Sequence, residues 1–376
     1  MKDIIGRRIK DERNRQKLTQ DELIRKAHLE WDRQTLGQIE NGERELKAWE
    51  LAKISSVLRL DMGSFFPSAP ETATQPLVLW RQQPENHEQL EAEFIRLCKD
   101  YKFVEELNAI DPDGFRKLPH KEIDLSTFRY SDAYALAEEI RDELGLGDYP
   151  ATSIVKTLEE KYGVKFFFDG LDGAPAASSV SDYGLCIVVS STDPAWRQHF
   201  SIAHELFHII TWSDRILERV LSDRTAWDRN EKLANAFAAG LLVPSEPLRR
   251  EIRSLAREGK LSEATIVAIA QQFGVSLEAL LWRMANQRVI PPESVNKALA
   301  DDTLRALDRE HRAETRKSVY VSNRFIRLAY LAYENGEISR GRLAKILKQP
   351  LSALTSHLKQ VGLAEVSNNE IALSYI

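Results

Sequence analysis

Hydrophobic and polar positions follow a helical period along almost the whole chain. Ile5, Ile9, Leu18, Leu23, Leu36, Ile39, Leu51, Ile54 and Leu58 supply apolar positions for four or five short helices at the front. Between Glu85 and Leu107, the residues Leu90, Phe94, Leu97, Tyr101, Val104 and Leu107 form one apolar face at spacings of three and four. This predicts a connector helix that either packs on its neighbours or forms a dimer seam, and it is too short for a coiled-coil assignment. Asp132–Leu144 and Pro150–Tyr162 predict two more helices, each followed by a glycine, Gly145 or Gly163, suited to a left-handed cap. The character changes in one place. Val164–Phe168, Ser178–Tyr183 and Leu185–Ser190 are short β-branched or aromatic runs separated by Asp-Gly and Asp-Tyr-Gly turns, which predicts a small antiparallel sheet. Helical patterning then resumes, with breaks near Pro244, Gly259 and Gly274, as far as Pro291-Pro292.

Breakers divide this pattern. Pro67 to Pro76, rich in Pro, Ser, Thr and Ala and lacking any hydrophobic period, reads as a linker. The expected organisation is a small helical domain over 1–66, a linker and connector helix over 67–125, a helix-and-sheet domain over 126–290, and a helical module over 291–376. The fold class is therefore mainly α (α+β). Within the last module, Ile338–Leu347, a Gln-Pro turn and Leu351–Leu358 form a helix-turn-helix arrangement. It is either winged-helix-like, with 364–373 as the wing and a hairpin at Asn368-Asn369, or a helical interaction module.

Composition narrows the class. With 376 residues, 43% hydrophobic and 29% charged, the chain has the balance of a folded, water-soluble protein of several domains. It contains no apolar run long enough to span a bilayer, and its front lacks a signal-peptide core, so no membrane partner and a cytoplasmic location are expected. Two cysteines, Cys98 and Cys186, are too few and too far apart for a disulfide framework or a thiolate metal site. The net charge of −5 argues against indiscriminate coating of nucleic acid, yet residues 1–66 carry 14 Lys/Arg against 12 Asp/Glu. Basic character is concentrated at the front.

Leu18-Thr-Gln-Asp-Glu-Leu23 opens a helix with a Thr cap and an acidic first turn, and Arg33–Glu40 starts polar and stops on Asn41-Gly42. Together they predict a helix-turn-helix. LTQDEL followed by QTLGQIENGER resembles the Xre/Cro-repressor type of domain over residues 1–66, which implies a five-helix fold. The resemblance implies that Gln20 contacts phosphate and that Arg33, Gln34, Thr35 and Gln38 read base edges, chemistry available to these side chains. The turn Ala27–Asp32 is about two residues longer than that pattern and brings an acidic pair close to it. Arg7, Arg8, Lys10, Arg13, Arg15 and Lys17 are expected to supply backbone contacts. Dimers on paired half-sites are the usual arrangement for such domains.

The sharpest chemical signal is His204-Glu205-Leu206-Phe207-His208. Residues four apart share a helix face, so both imidazoles can reach one ion, and the Glu between them can handle an activated water. The flanking Phe200, Ile202, Ala203, Leu206, Ile209 and Ile210 make unpartnered polar groups costly there. Downstream, Asn230–Ala238 predicts a helix from which the Glu231 carboxylate completes a His/His/Glu zinc site, with Asn235 orienting a ligand. The pair FSIAHELFHII and NEKLANAFAAGLLVP resembles the ImmA/IrrE family of metallo-endopeptidases, across about 126–290. That resemblance implies a zincin-like helical domain with Zn2+ held by His204, His208 and Glu231, and Glu205 as general base. Bulky Phe207 stands where the family commonly has Gly, which narrows access. Tyr183, Arg197 and His199 are candidate transition-state donors, each with a plain structural alternative.

The function expected is a regulator that reaches DNA through its first domain and cleaves a specific protein partner, a repressor by resemblance. The alternative is a non-proteolytic DNA-binding antitoxin that neutralises a toxin encoded beside it and autoregulates its operon.

Overall fold

The computed structural model describes residues 2–44, 46–58, 77–80, 86–315 and 322–363. The described residues are mainly helical, with one four-stranded sheet, as the mainly α reading expects. The chain divides into two compact units, Met1–Gln75 and Pro76–Ile376. The expected linker over Pro67–Pro76 and the expected wing and hairpin over 364–373 lie outside the described residues.

In the first unit, α1 (Lys2–Arg15), α2 (Gln20–Lys26), α3 (Arg33–Glu40) and α4 (Ala48–Leu58) enclose Ile9, Leu23, Leu36, Ile39, Leu51, Ile54 and Leu58. A fifth helix after Leu58 would fall outside the described residues. Thr19 and Glu22 form a reciprocal capping box on α2. The Asp32 side chain accepts from Thr35 N at 2.7 Å and caps α3. The long turn therefore ends on its own acidic residue, which is spent on starting the helix at Arg33. Helix α1 crosses α3 so closely that a Cβ on Gly6 would lie 2.0 Å from the Ile39 carbonyl oxygen, so only glycine fits there.

The second unit is layered about the sheet. Strands β1 (Leu77–Trp80), β2 (Lys165–Asp169), β3 (Ala176–Ser181) and β4 (Gly184–Ser190) stand in the order β1-β3-β4-β2. The β3–β4 hairpin and the β1–β3 pair are antiparallel, but β2 runs parallel to β4, so the expected purely antiparallel sheet is corrected to a mixed one. The reason is topological. Strand β4 inserts between β2 and β3, which run in opposite directions, so it pairs antiparallel to β3 and parallel to β2.

Alternate side chains of these strands feed two cores. Phe166, Ile187 and Val189 face α6 (Tyr130–Leu144), α7 (Ile154–Tyr162), α8 (Ala195–Thr211) and α10 (Arg224–Leu242). Phe167, Ala177, Cys186 and Val188 face the other way, toward α5 (His87–Leu107) and the C-terminal helices α16 (Asn323–Glu334), α17 (Arg340–Ile346) and α18 (Leu354–Gln360). The apolar stripe of α5, from Leu90 to Val104, is consumed in this second core, which favours packing over a dimer seam. Cys98 and Cys186 are buried and free in the same core. The remaining helices are α9 (Asp214–Ser222), α11 (Ser245–Leu255), α12 (Glu263–Gln272), α13 (Leu277–Asn286), α14 (Pro292–Ala300) and α15 (Asp302–Thr315), and α12 to α15 enclose a further small core that includes Val267, Leu281, Val295 and Leu304. Among the described residues no single helix is long and apolar enough to cross a membrane. The pair α12 and α13 has the composition but is bent by 97° and buries Val267, Ile269, Leu280 and Leu281.

A buried polar network ties the C-terminal helices to the rest. Arg324 donates to Tyr101 Oη at 2.9 Å and Glu105 at 2.7 Å, Lys165 pairs with Glu105 at 3.0 Å, and Ser322 donates to Glu159. Burial raises the Glu159 carboxyl from 4.5 to about 7, against the opposing Ser322 hydrogen bond and the nearby Arg324 and Arg327 charges. The folded chain thus holds a proton that the unfolded chain releases. This contribution to stability is full below about 4.5 and is lost as pH rises through about 7. Glu159→Gln keeps an acceptor for Ser322 and removes the titration. Its stability relative to wild type is expected to rise by about 2 kcal/mol between pH 5 and pH 8 in urea unfolding. A difference independent of pH contradicts this account.

Candidate metal centre and DNA-binding surface

Helix α8 is apolar on nearly every side because it lies between the sheet and α10. His204 is wholly buried and Glu205 is 1% exposed. The i,i+4 spacing brings His204 Nε2 and His208 Nε2 to 3.0 Å. Glu231, at mid-length of α10, places its two carboxylate oxygens 3.2 Å from His204 Nε2 and 3.2 Å from His208 Nε2. Three potential ligand atoms converge within 4.8 Å, and no other such group occurs among the described residues.

The donor chemistry fits a divalent cation. Ligands on a tetrahedron with metal bonds of roughly 2.0–2.1 Å lie about 3.3 Å apart, close to the separations here. His204 Nδ1 lies 3.0 Å from Asn235 Oδ1, an acceptor, so the proton sits on Nδ1 and the Nε2 lone pair faces the other ligands. Three electron-pair donors pointed at one spot repel unless a cation or a proton stands among them. Burial alone would raise the Glu231 carboxyl, but hydrogen bonds and charge interactions with His204 and His208 hold it well below the usual carboxylate range. The group is anionic, as a ligand must be.

Two further residues touch the centre without having been anticipated. Asn230 Nδ2 lies 3.2 Å from His208 Nδ1, so α10 contacts both imidazoles on the side away from the ligand atoms. Ser178, buried on β3, donates from Oγ to Glu205 Oε2 at 2.6 Å. The available signal for Asn230 was its place beside Glu231. For Ser178 it was a hydroxyl residue repeated inside a core strand.

The three candidate transition-state donors are engaged elsewhere. Tyr183 belongs to the opposite core and lies under Lys99 and Lys102. Arg197 pairs with Asp193 at 3.3 Å. His199 is held in its neutral form by burial, and its Nδ1 lies 3.0 Å from the Gly274 carbonyl oxygen. A Cβ on Gly274, at φ 64°, would meet His199 Nδ1 at 3.0 Å. Phe207 is also corrected. It is fully buried against Phe237 with ring centroids 5.5 Å apart, pointing into the core, so it does not narrow the approach to the ligands.

In the first unit, Arg33 and Gln34 are exposed on the first turn of α3, with Thr35 and Gln38 half-buried beside them. Gln20 bridges Glu40 Oε2 at 2.8 Å and Arg33 Nε at 3.1 Å. Arg13 is corrected from a backbone-contact residue to a structural one. Only 8% exposed, it makes a two-pronged pair with Glu40 at 2.6 and 3.0 Å and donates to the Leu18 carbonyl. Arg7, Lys10 and Lys17 remain exposed on this unit.

The fold and these two sites define a helix-turn-helix protein with a metallopeptidase-like centre. Comparison with known families agrees: residues 9–65 match the helix-turn-helix family, and residues 157–285 match the IrrE N-terminal-like domain of a peptidase family. The chain therefore contains a helix-turn-helix domain of Xre-like type and an IrrE N-terminal-like domain. No curated protein matches significantly. Among solved structures, a Mycobacterium tuberculosis transcriptional regulator aligns at 19% identity over 50% of this chain and 51% of its own, with a TM-score of 0.32. The chain thus spans about half the length of that regulator. The apo competence regulator ComR from Streptococcus vestibularis aligns at 13% identity over 96% of this chain and 99% of its own, with a TM-score of 0.17.

The geometry predicts about one zinc per chain. His204→Ala, His208→Ala and Glu231→Ala should each lose it on dialysis. Asn235→Ala should keep the stoichiometry but bind roughly 10–100-fold more weakly in chelator competition. Wild-type affinity in Glu231→Ala contradicts the ligand set.

Proposed function

We propose that the chain is a DNA-binding regulator whose second unit is a zinc-dependent endopeptidase acting on a protein partner. The convergence of His204, His208 and Glu231 beside Glu205 carries this reading. His204, His208 and Glu231 would hold the ion, and Asn235 fixes the His204 tautomer. When bound, zinc supplies Lewis-acid polarisation of the scissile carbonyl and makes water more acidic. Glu205 accepts a proton from the attacking water and delivers it to the leaving amine, with its carboxylate oriented by Ser178 at Oε2. The first unit brings the peptidase to DNA, where a repressor encoded beside it is the partner that family resemblance favours. Arg33 and Gln34 at the head of α3 reach base edges, with Thr35, Gln38 and Gln20 supporting them. Two copies on paired half-sites suit this arrangement.

The burial of Glu205 favours a second reading, since a peptidase at work must admit a peptide. In it, the chain is an antitoxin that sequesters a neighbouring toxin and autoregulates its operon, with the metal serving structure.

One experiment separates them. Wild type and Glu205→Gln, both loaded with zinc, are incubated with the products of adjacent genes while intact masses are followed. Cleavage by wild type, lowered at least about 100-fold in Glu205→Gln with zinc retained, supports the peptidase. Cleavage by both removes Glu205 from its role, and a stable uncleaved complex favours the antitoxin. For the first unit, Gln34→Ala is expected to relax base preference at one operator position by about 1–3 kcal/mol, read by binding to single-base operator variants. Loss of affinity that is uniform across all variants assigns Gln34 to the DNA backbone instead.

A further inference from the structure

The wall of the metal centre is a β-strand. Ser178 of β3 touches Glu205, so a peptide whose carbonyl is to reach Glu205 passes alongside β3. An extended peptide binds to a strand by main-chain pairing, which requires a free edge. One edge of β3 is taken by β4 in a hairpin. The other is taken by β1, antiparallel, with Leu77 opposite Val180, Val78 opposite Ser179, Leu79 opposite Ser178 and Trp80 opposite Ala177. The residue in register with the one that touches the general base therefore belongs to this chain's own Leu77–Trp80 segment. Glu205, at 1% exposure, and Ser178, fully buried, are closed to solvent, whereas His208 and Glu231 keep partial access.

We propose that the outer edge of β3 is the docking edge for an extended, apolar segment of a protein partner, and that Leu77–Trp80 is the resident occupant which must leave before that segment can pair. Three observations suit β1 to this exchange. It has only four residues, against the five or six of an ordinary strand, so few ladder bonds hold it. It lies at the sheet edge, where removal leaves β3 paired with β4 and the remaining three strands intact. Its sequence, Leu-Val-Leu-Trp, is apolar at all four positions, which points to an apolar segment of the partner. In calling that partner a substrate, the inference rests on the peptidase reading; the docking itself does not.

The test uses the full chain and, as probe, a fluorescein-labelled peptide of residues 76–82, Pro-Leu-Val-Leu-Trp-Arg-Gln. Val78→Pro/Leu79→Pro removes two successive amide donors, one of which must face β3. This variant is expected to bind the peptide at least tenfold more tightly than wild type. Those amides of Ala177–Val180 that face β1 should lose hydrogen-exchange protection and regain it with peptide, while α8 stays protected. A second variant, Leu77→Cys/Val180→Cys, joins two residues in register, and Val180 is accessible at 46% exposure. Oxidised, it should bind no peptide; reduced, it should return to wild-type binding. Equal binding by wild type and the proline variant, or undiminished binding by the oxidised cysteine variant, overturns the proposal.

A zinc-loaded assay on unfolded casein separates this from the peptidase reading. Peptide binding as expected, with no cleavage by any form, leaves the docking edge standing and removes the peptidase. Equal cleavage by oxidised and reduced Leu77→Cys/Val180→Cys leaves the peptidase standing and removes the docking edge.

Discussion

Two imidazoles and two carboxylates sit inside an apolar core, and most of the second unit is arranged around that constraint. A buried polar group without partners costs several times what a satisfied hydrogen bond contributes, and a buried charge costs more. Helix α8 is nevertheless enclosed by the sheet on one side and by α10 on the other. The chain answers by giving several of these polar atoms a specific neighbour. Asn235 meets the far nitrogen of His204, Asn230 that of His208, and Ser178 one oxygen of Glu205. What remains are three potential ligand atoms aimed at one another, an arrangement whose repulsion a cation or a proton among them relieves. Helix α10 is thereby more than the carrier of Glu231. By supplying the third member of the His204/His208/Glu231 group and both asparagines, it fixes the rotation of α8 about its axis.

The same economy appears on the far side of the sheet. Glu105 is shared by Lys165 of β2 and Arg324 of α16, while Tyr101 receives Arg324 as well. A connector helix, a sheet strand and a C-terminal helix are locked together through one carboxylate. Removing a single partner from such a network leaves an uncompensated buried charge. The C-terminal helices are for that reason part of the unit that holds the centre, and they cover the face of β2 and β4 opposite to α8.

Local periodicity made much of this legible. His204 and His208 share a face on any helix, whatever the tertiary fold, and Glu231 followed from the second half of the same two-part resemblance. The glycine caps at Gly145 and Gly163 were likewise local, and both adopt the left-handed conformation, at φ 68° and 66°. What stayed hidden depends on contacts between distant residues. Ser178 meets Glu205 across 27 residues of sequence, and Arg13 meets Glu40 across the same separation. On α1, Arg13 has the same appearance as its solvent-facing neighbours, and only the approach of α3 converts it from a phosphate-contact candidate into a core ion pair. Strand order was hidden for the same reason. Four apolar residues beside a proline-rich stretch carry no mark that they pair with β3, and a parallel β2–β4 pair needs a crossover that short runs do not announce.

The position of β1 bears on how a peptidase-like centre of this kind could be both folded and restrained. A catalytic cleft lined by a bare strand edge exposes unpaired amides and invites association with any extended chain. An edge occupied by the protein's own strand avoids that hazard, but at the expense of access to Glu205. A short strand resolves the conflict, because each ladder bond is worth only about 1 kcal/mol net and four residues form few of them. The closed form then predominates, while a partner that offers a longer or better-fitting strand can displace it, and poorly matched chains cannot. Leu77 follows the last residue of the DNA-binding unit, Gln75, by two positions. The occupant of the edge is thus adjacent in sequence to the helix-turn-helix unit.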